Sequence, residues 1–129
     1  MRLLLDTHLL LWALDSPQRL DEATRTLIED TGNTVLFSAA SIWEIAIKSR
    51  LGRADFAVRP DRVAQAARQT GFIELPVNSD AAARVADLPP HHRDPFDRLL
   101  VAQAMAEPAR LYTADPLVAA YGDLICLIA

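Results

Sequence analysis

Apolar positions along this chain alternate between two rhythms. Short unbroken runs at residues 2–5, 34–37, 72–75, 111–113 and 123–128 have the length and the Leu, Val, Ile and Phe content of buried strands. Between them the apolar residues recur at helical spacing. Residues 9–14 predict a helix stopped by Asp15-Ser16-Pro17, and 21–30 a helix with Ala23, Leu27 and Ile28 inward. A third begins at Ser38 or Ser41 and runs to Leu51, with Gly52 as its stop; if Ser41 caps it, Glu44 completes a capping box. Further helices are expected at 60–69, ended by Gly71, at 79–88, broken by Pro89-Pro90, and briefly after Asp115-Pro116. No hairpin turn and no repeat interrupts the alternation. The pattern predicts one α/β domain over 1–129, with a mainly parallel sheet and helices on both faces.

The stretch from Asp94 to Ala106 stands apart. From Phe96 onward it is apolar for three turns, interrupted only by Arg98 and Gln103, as in a helix that lies inside a domain. Asp94 suits the N-cap and Pro95 the first helical position. Asp97 shares a face with Val101 and Ala104, where nothing polar is at hand to pair it. An acid in the first turn is favoured by the helix dipole, so Asp97 alone decides nothing.

Composition narrows the class. A chain of 129 residues, 51% hydrophobic with four glycines, can bury a real core, and disorder or a fibre is excluded. Its single Cys126 sits in an apolar run and reads as a buried small hydrophobe suited to a reducing compartment. The greasy N-terminus is cut by Asp6 and His8 and followed by no cleavage pattern, and no apolar run reaches the ~20 residues of a membrane span. A soluble, cytoplasmic protein is expected.

The net charge of −4 argues against a nucleic-acid partner until its distribution is considered. With four of the 17 acids set aside for a site, the remainder equals the 13 bases. Between Lys48 and Arg68 six bases face two acids, and Lys48, Arg50 and Arg53 are candidates for contact with a phosphate backbone, although most such runs are solvated faces.

In sheets of this kind the site lies beyond the carboxyl ends of the strands. Asp6 follows the first strand, Glu44 is in the second turn of the helix after the second, Asp115 follows the fourth, and Asp97 opens the buried helix. Two carboxylates ~6 Å apart at an effective dielectric of about 20 repel by roughly 3 kcal/mol. Four of them must take up protons or bind a cation. An oxygen-only set without cysteine or paired histidine spacing suits Mg²⁺ or Mn²⁺, and the matching chemistry is phosphoryl, with Thr7 and Thr113 adding hydroxyl hydrogen bonds nearby. His8 reads as a hydrogen-bonding residue at the crevice edge. His91 and His92 read as loop residues, exposed or supporting Asp94. Trp12 and Trp43 read as core or interface residues.

These strings together resemble a known family. Leu-Leu-Asp6-Thr7-His8, Ser38-Ala-Ala-Ser-Ile-Trp-Glu44-Ile, Asp94-Pro-Phe-Asp97-Arg-Leu-Leu-Val-Ala-Gln and Thr113-Ala-Asp115 look like the four motifs of PIN-domain ribonucleases, closest to VapC-type toxins of bacterial type II toxin–antitoxin systems. The resemblance covers essentially the whole chain, in order. It implies a three-layer α/β/α fold, a Mg²⁺- or Mn²⁺-dependent endoribonuclease, a homodimer, and a cognate VapB-type antitoxin that blocks the site. It assigns Asp6, Glu44, Asp97 and Asp115 to the catalytic, metal-binding quartet, and Asp94 to an auxiliary role. Asp80 stands where relatives often carry His, a departure expected to affect only a surface helix.

Two other readings remain open on the residues alone. An aspartate-nucleophile phosphatase would want an acid two residues after Asp6, where this chain has His8. A receiver-like module that merely binds Mg²⁺ would want a lysine after a late strand, and Lys48 is the only lysine.

Overall fold

The computed structural model describes residues 1–128. Five strands, β1 (Arg2–Leu5), β2 (Thr34–Ser38), β3 (Ile73–Leu75), β4 (Arg110–Thr113) and β5 (Ile125–Leu127), form one sheet in the order β3-β2-β1-β4-β5. Every neighbouring pair is parallel, a stricter arrangement than the sequence pattern required. Helices α1 (Thr7–Asp15), α2 (Glu22–Glu29), α3 (Ala39–Arg50), α4 (Pro60–Thr70), α5 (Ser79–Arg84), α6 (Pro95–Ala106) and α7 (Pro116–Ala119) supply the crossovers.

The central strand shows why its sequence is continuously apolar. Leu3 and Leu5 point into a core shared with Phe37, Ile45 and Phe56, while Leu4 points through the sheet to Leu36, Leu100 and Val101. A strand covered on both faces has no polar side to display. Each of these fully buried leucines contributes roughly 1.5–3 kcal/mol. As expected, α6 is largely buried, and Gln103 on it is enclosed. Its Oε1 accepts from Ser38 Oγ at 2.5 Å and its Nε2 donates to the Pro76 carbonyl at 3.3 Å, tying α6 to the end of β2. Gln103→Leu leaves the fully buried Ser38 hydroxyl without its acceptor, so chemical denaturation should find it less stable by about 1–3 kcal/mol.

One open alternative is settled and one local expectation is corrected. Ser38, not Ser41, caps α3, accepting from the Ala40 N–H at 2.9 Å, so Glu44 belongs to no capping box. The helix expected over 79–88 ends at Arg84 and tightens into a 3-10 turn at Val85–Asp87, since prolines 89 and 90 forbid an α-helical exit. Short 3-10 turns at Pro17–Arg19 and Ala54–Phe56 lie below the length at which apolar periodicity is readable. Among the described residues no helix is long and apolar enough to cross a membrane.

Candidate metal centre

The carboxyl ends of β1 and β4 lie side by side where the order of connection reverses, β2 being on one side of β1 and β4 on the other. Such a switch point opens a crevice. Asp6, the residue after β1, is the N-cap of α1: its Oδ1 accepts from the Leu9 N–H at 2.9 Å and its Oδ2 from Thr113 Oγ1 at 2.6 Å. Only 5% exposed, it titrates above the ordinary carboxylate range, because burial outweighs the Thr113 and Leu9 hydrogen bonds and Glu44 adds repulsion.

Glu44 is 2% exposed on the inner side of α3. Thr7 Oγ1, itself 2.9 Å from Ser41 Oγ, donates to its Oε1 at 2.5 Å, and its Oε2 pairs closely with Lys48 one turn on. Lys48 Nζ also reaches Asp94 Oδ2 at 3.4 Å. Burial alone would lower the lysine's pKa, but Glu44 and Asp94 outweigh it and raise it above the usual value. The only lysine of the chain is thus turned inward as a counter-charge, and it is not the open phosphate contact its place in a basic run suggested. Arg50 remains exposed, and Arg53 stays at the surface 3.6 Å from Asp55.

The start of α6 adds two acids. Asp94 caps it, Oδ1 accepting from the Phe96 and Asp97 N–H groups at 2.8 and 3.3 Å. Asp97 is pushed up to about 7, first by burial, then by the negative charges of Asp94, Glu44 and Asp6, with His92 pulling weakly the other way. Carboxylates from three places in the chain, Asp6, Glu44 and the Asp94–Asp97 turn, therefore sense one another here. Asp115 caps α7 through Oδ1 and the Leu117 N–H at 2.9 Å. It titrates below the usual range: its partial burial pulls upward but is outweighed by His92 and the Leu117 N–H.

His92 is the residue that sequence reasoning underrated. Its Nδ1 accepts from the Asp94 N–H at 3.0 Å, so in the neutral ring the proton belongs on Nε2. Nε2 then donates to Asp115 Oδ2 at 2.8 Å and faces Asp97 Oδ2 at 3.3 Å. The ligand-type atoms of these three residues lie within 4.8 Å of one another. In that tautomer His92 serves as the donor that holds Asp97 and Asp115 together. Arg98, an apparent flaw in an apolar helix, fixes the His92 loop. Its guanidinium donates to the carbonyls of Pro89, Val85 and Leu88 at 3.0–3.3 Å and to the Tyr121 hydroxyl at 2.9 Å. That hydroxyl in turn accepts from the His92 N–H at 3.0 Å. His91, by contrast, is exposed and packs edge-on against Tyr121. His8 lies at the crevice edge and bonds Asp55 at 3.1 Å.

The donor set fits a hard divalent cation. Carboxylate oxygens dominate it, with His92 beside Asp97 and Asp115, the sole cysteine is elsewhere, and burial together with the neighbouring acids raises Asp97 to about 7.

Comparison with known proteins agrees with this geometry. The family model described as PIN domain matches residues 3–123. A stretch of 30 residues, 23% of this chain, is 57% identical to Ribonuclease VapC16 of Mycobacterium tuberculosis, and it spans about a fifth (21%) of that protein. A chain in the crystal structure of VapBC2 from Rickettsia felis bound to a DNA fragment from their promoter superposes with a TM-score of 0.70 over 100% of both chains at 14% identity. A chain of FitAcB from Neisseria gonorrhoeae gives 0.57 over 90% of this chain and 89% of that one, at 22% identity.

Proposed function

The chain belongs to the PIN-domain family, and on that premise we propose that it is a divalent-metal-dependent endoribonuclease, the toxin of a type II toxin–antitoxin pair, with Asp6, Glu44, Asp97 and Asp115 as its catalytic, metal-binding acids. One observation carries the reading: acids from four separate elements line the sheet's switch point, where burial and then the negative charges of Asp94, Glu44 and Asp6 raise Asp97 to about 7. Mg²⁺ or Mn²⁺ bound there supplies Lewis acidity at a phosphate oxygen and a water that ionises near neutral pH.

The chain's own residues prepare that chemistry. Thr113 and the Leu9 N–H fix both oxygens of Asp6, Thr7 fixes Oε1 of Glu44, and His92 fixes Oδ2 of Asp115. Lys48 offsets charge at Glu44 and Asp94 without occupying the crevice between Asp97 and Asp115. Asp97, its Oδ2 3.3 Å from His92 Nε2, would hold a cation in its ionised form alongside the other acids. An aspartate-nucleophile phosphatase fits less well, because His8 stands two residues after Asp6 where that chemistry wants a second acid.

RNA is the substrate in this reading, and Arg50 and Arg53 remain its backbone candidates. Partners are a VapB-type antitoxin and a second copy of the chain. An apolar patch of Trp43, Val85, Phe96 and Leu99, where Trp43 is 59% exposed, supports self-association. The test is a purified-protein assay on a structured RNA. Cleavage should require Mg²⁺ or Mn²⁺ and stop with EDTA; cutting that persists in EDTA would remove the proposal.

A further inference from the structure

A groove of about 760 Å³ runs outward from the acids, with Asp6 and Asp115 forming its inner end. The volume lies within the roughly 300–1,000 Å³ of ligand clefts. Its wall carries planar groups in sequence. His8, two residues beyond Asp6, has its ring 6.2 Å from that of half-buried Trp12. The guanidinium of exposed Arg19 lies 4.4 Å from the Trp12 ring centre. Local chain geometry builds this row: α1 stops at Asp15, and the 3-10 turn Pro17–Arg19 carries the chain back so that Arg19 covers a ring seven residues earlier.

The charge of the groove decides what it takes. Outside the metal acids, Asp15 and Asp55 line the groove along with Arg19 and His8, and Asp55 is tied to His8 at 3.1 Å and Arg53 at 3.6 Å. No surplus of positive charge is left to hold a phosphate. An uncharged, flat group suits the wall better, since bases stack on aromatic rings and on guanidinium planes alike.

The geometry points to a base-stacking subsite: the unpaired nucleotide next to the cleaved bond lays its base against the Trp12–Arg19 pair while its phosphate lies at the acids. The inference rests on the nuclease reading and adds the residues that select single-stranded substrate. Stacking on this wall needs an unpaired base, so a duplex is excluded.

The test uses the tryptophans themselves. Trp12 and Trp43 are the only two, so Trp43→Phe leaves Trp12 as the sole emitter. In Ca²⁺, a single-stranded RNA decamer should quench Trp12, whereas the same decamer as a duplex, or inorganic phosphate, should not. In Mg²⁺, Trp12→Ala and Arg19→Ala should each raise KM for the single-stranded decamer about 5- to 150-fold with kcat within twofold. Trp12→Phe, which keeps an aromatic face, should recover most of the loss, separating stacking from support of α1. Unchanged KM in both alanine variants, quenching by the duplex as strong as by the single strand, or Trp12→Phe as impaired as Trp12→Ala would overturn the subsite while wild-type cleavage still upheld the nuclease. A wild-type protein that neither binds nor cuts RNA would overturn both.

Discussion

In Asp97→Asn, RNA cleavage should fall about 10³-fold or more, equivalent to roughly 4 kcal/mol of barrier, while the protein stays folded. The side chain keeps its shape, so neither the Asp94 cap of α6 nor the Arg98 strap is disturbed. What changes is a charge surrounded by Asp94, Glu44 and Asp6. The amide cannot take the anionic form that a cation needs, so metal affinity and the ionisation of bound water are lost together. Removing that buried, repelled charge should also leave the metal-free variant at least as stable as wild type above pH 7. Cleavage rates with Mn²⁺ titrations, alongside thermal melts in EDTA, check both halves. An Asp97→Asn protein that cuts RNA at the wild-type rate would end the metal mechanism, and one that melts far below wild type would show Asp97 to be a structural residue.

The parts of this molecule that were legible in its sequence are those with local causes. An unbroken Leu3-Leu4-Leu5 run means a strand covered on both faces, and Asp94-Pro95 and Asp115-Pro116 announce helix starts that the structure caps as expected. Asp6, Glu44, Asp97 and Asp115 could be placed at one edge because each follows a strand or lies in the first two turns of a helix, and strands in such a sheet end together. What stayed hidden depends on contacts between residues far apart in the chain. His92 meets Asp115 23 positions later, and Tyr121 meets Arg98 at the same separation. Neither pair leaves a periodic trace. Lys48 could be read two ways, as part of a basic run or as the i, i+4 partner of Glu44; the structure makes that pair, and its reach to Asp94, 46 residues on, left no local trace. Arg98 looked like a blemish on an apolar helix because the carbonyls it serves come from a loop whose path no pattern describes.

Melting the metal-free protein across pH should expose the cost of the acid cluster directly. A carboxyl group whose folded pKa is raised stabilises the fold below its unfolded value and loses that contribution as pH climbs to the folded value. For Asp97 the window runs from the ordinary 3.8 to about 7. The difference corresponds to stability on the order of 4 kcal/mol, or roughly 10 °C in Tm for a chain of this size. Asp6, also raised, acts with the same sign, while half-exposed Asp115, which is lowered, opposes it weakly. In EDTA the Tm should therefore decline between about pH 4 and 7, and Asp97→Asn should flatten much of that decline. Adding Mn²⁺ should restore stability most at the alkaline end, where no proton has to leave before the ion enters. A metal-free Tm that is level or rises over this range would mean that the carboxylates do not burden one another. Their meeting at the switch point would then carry no demand for a cation.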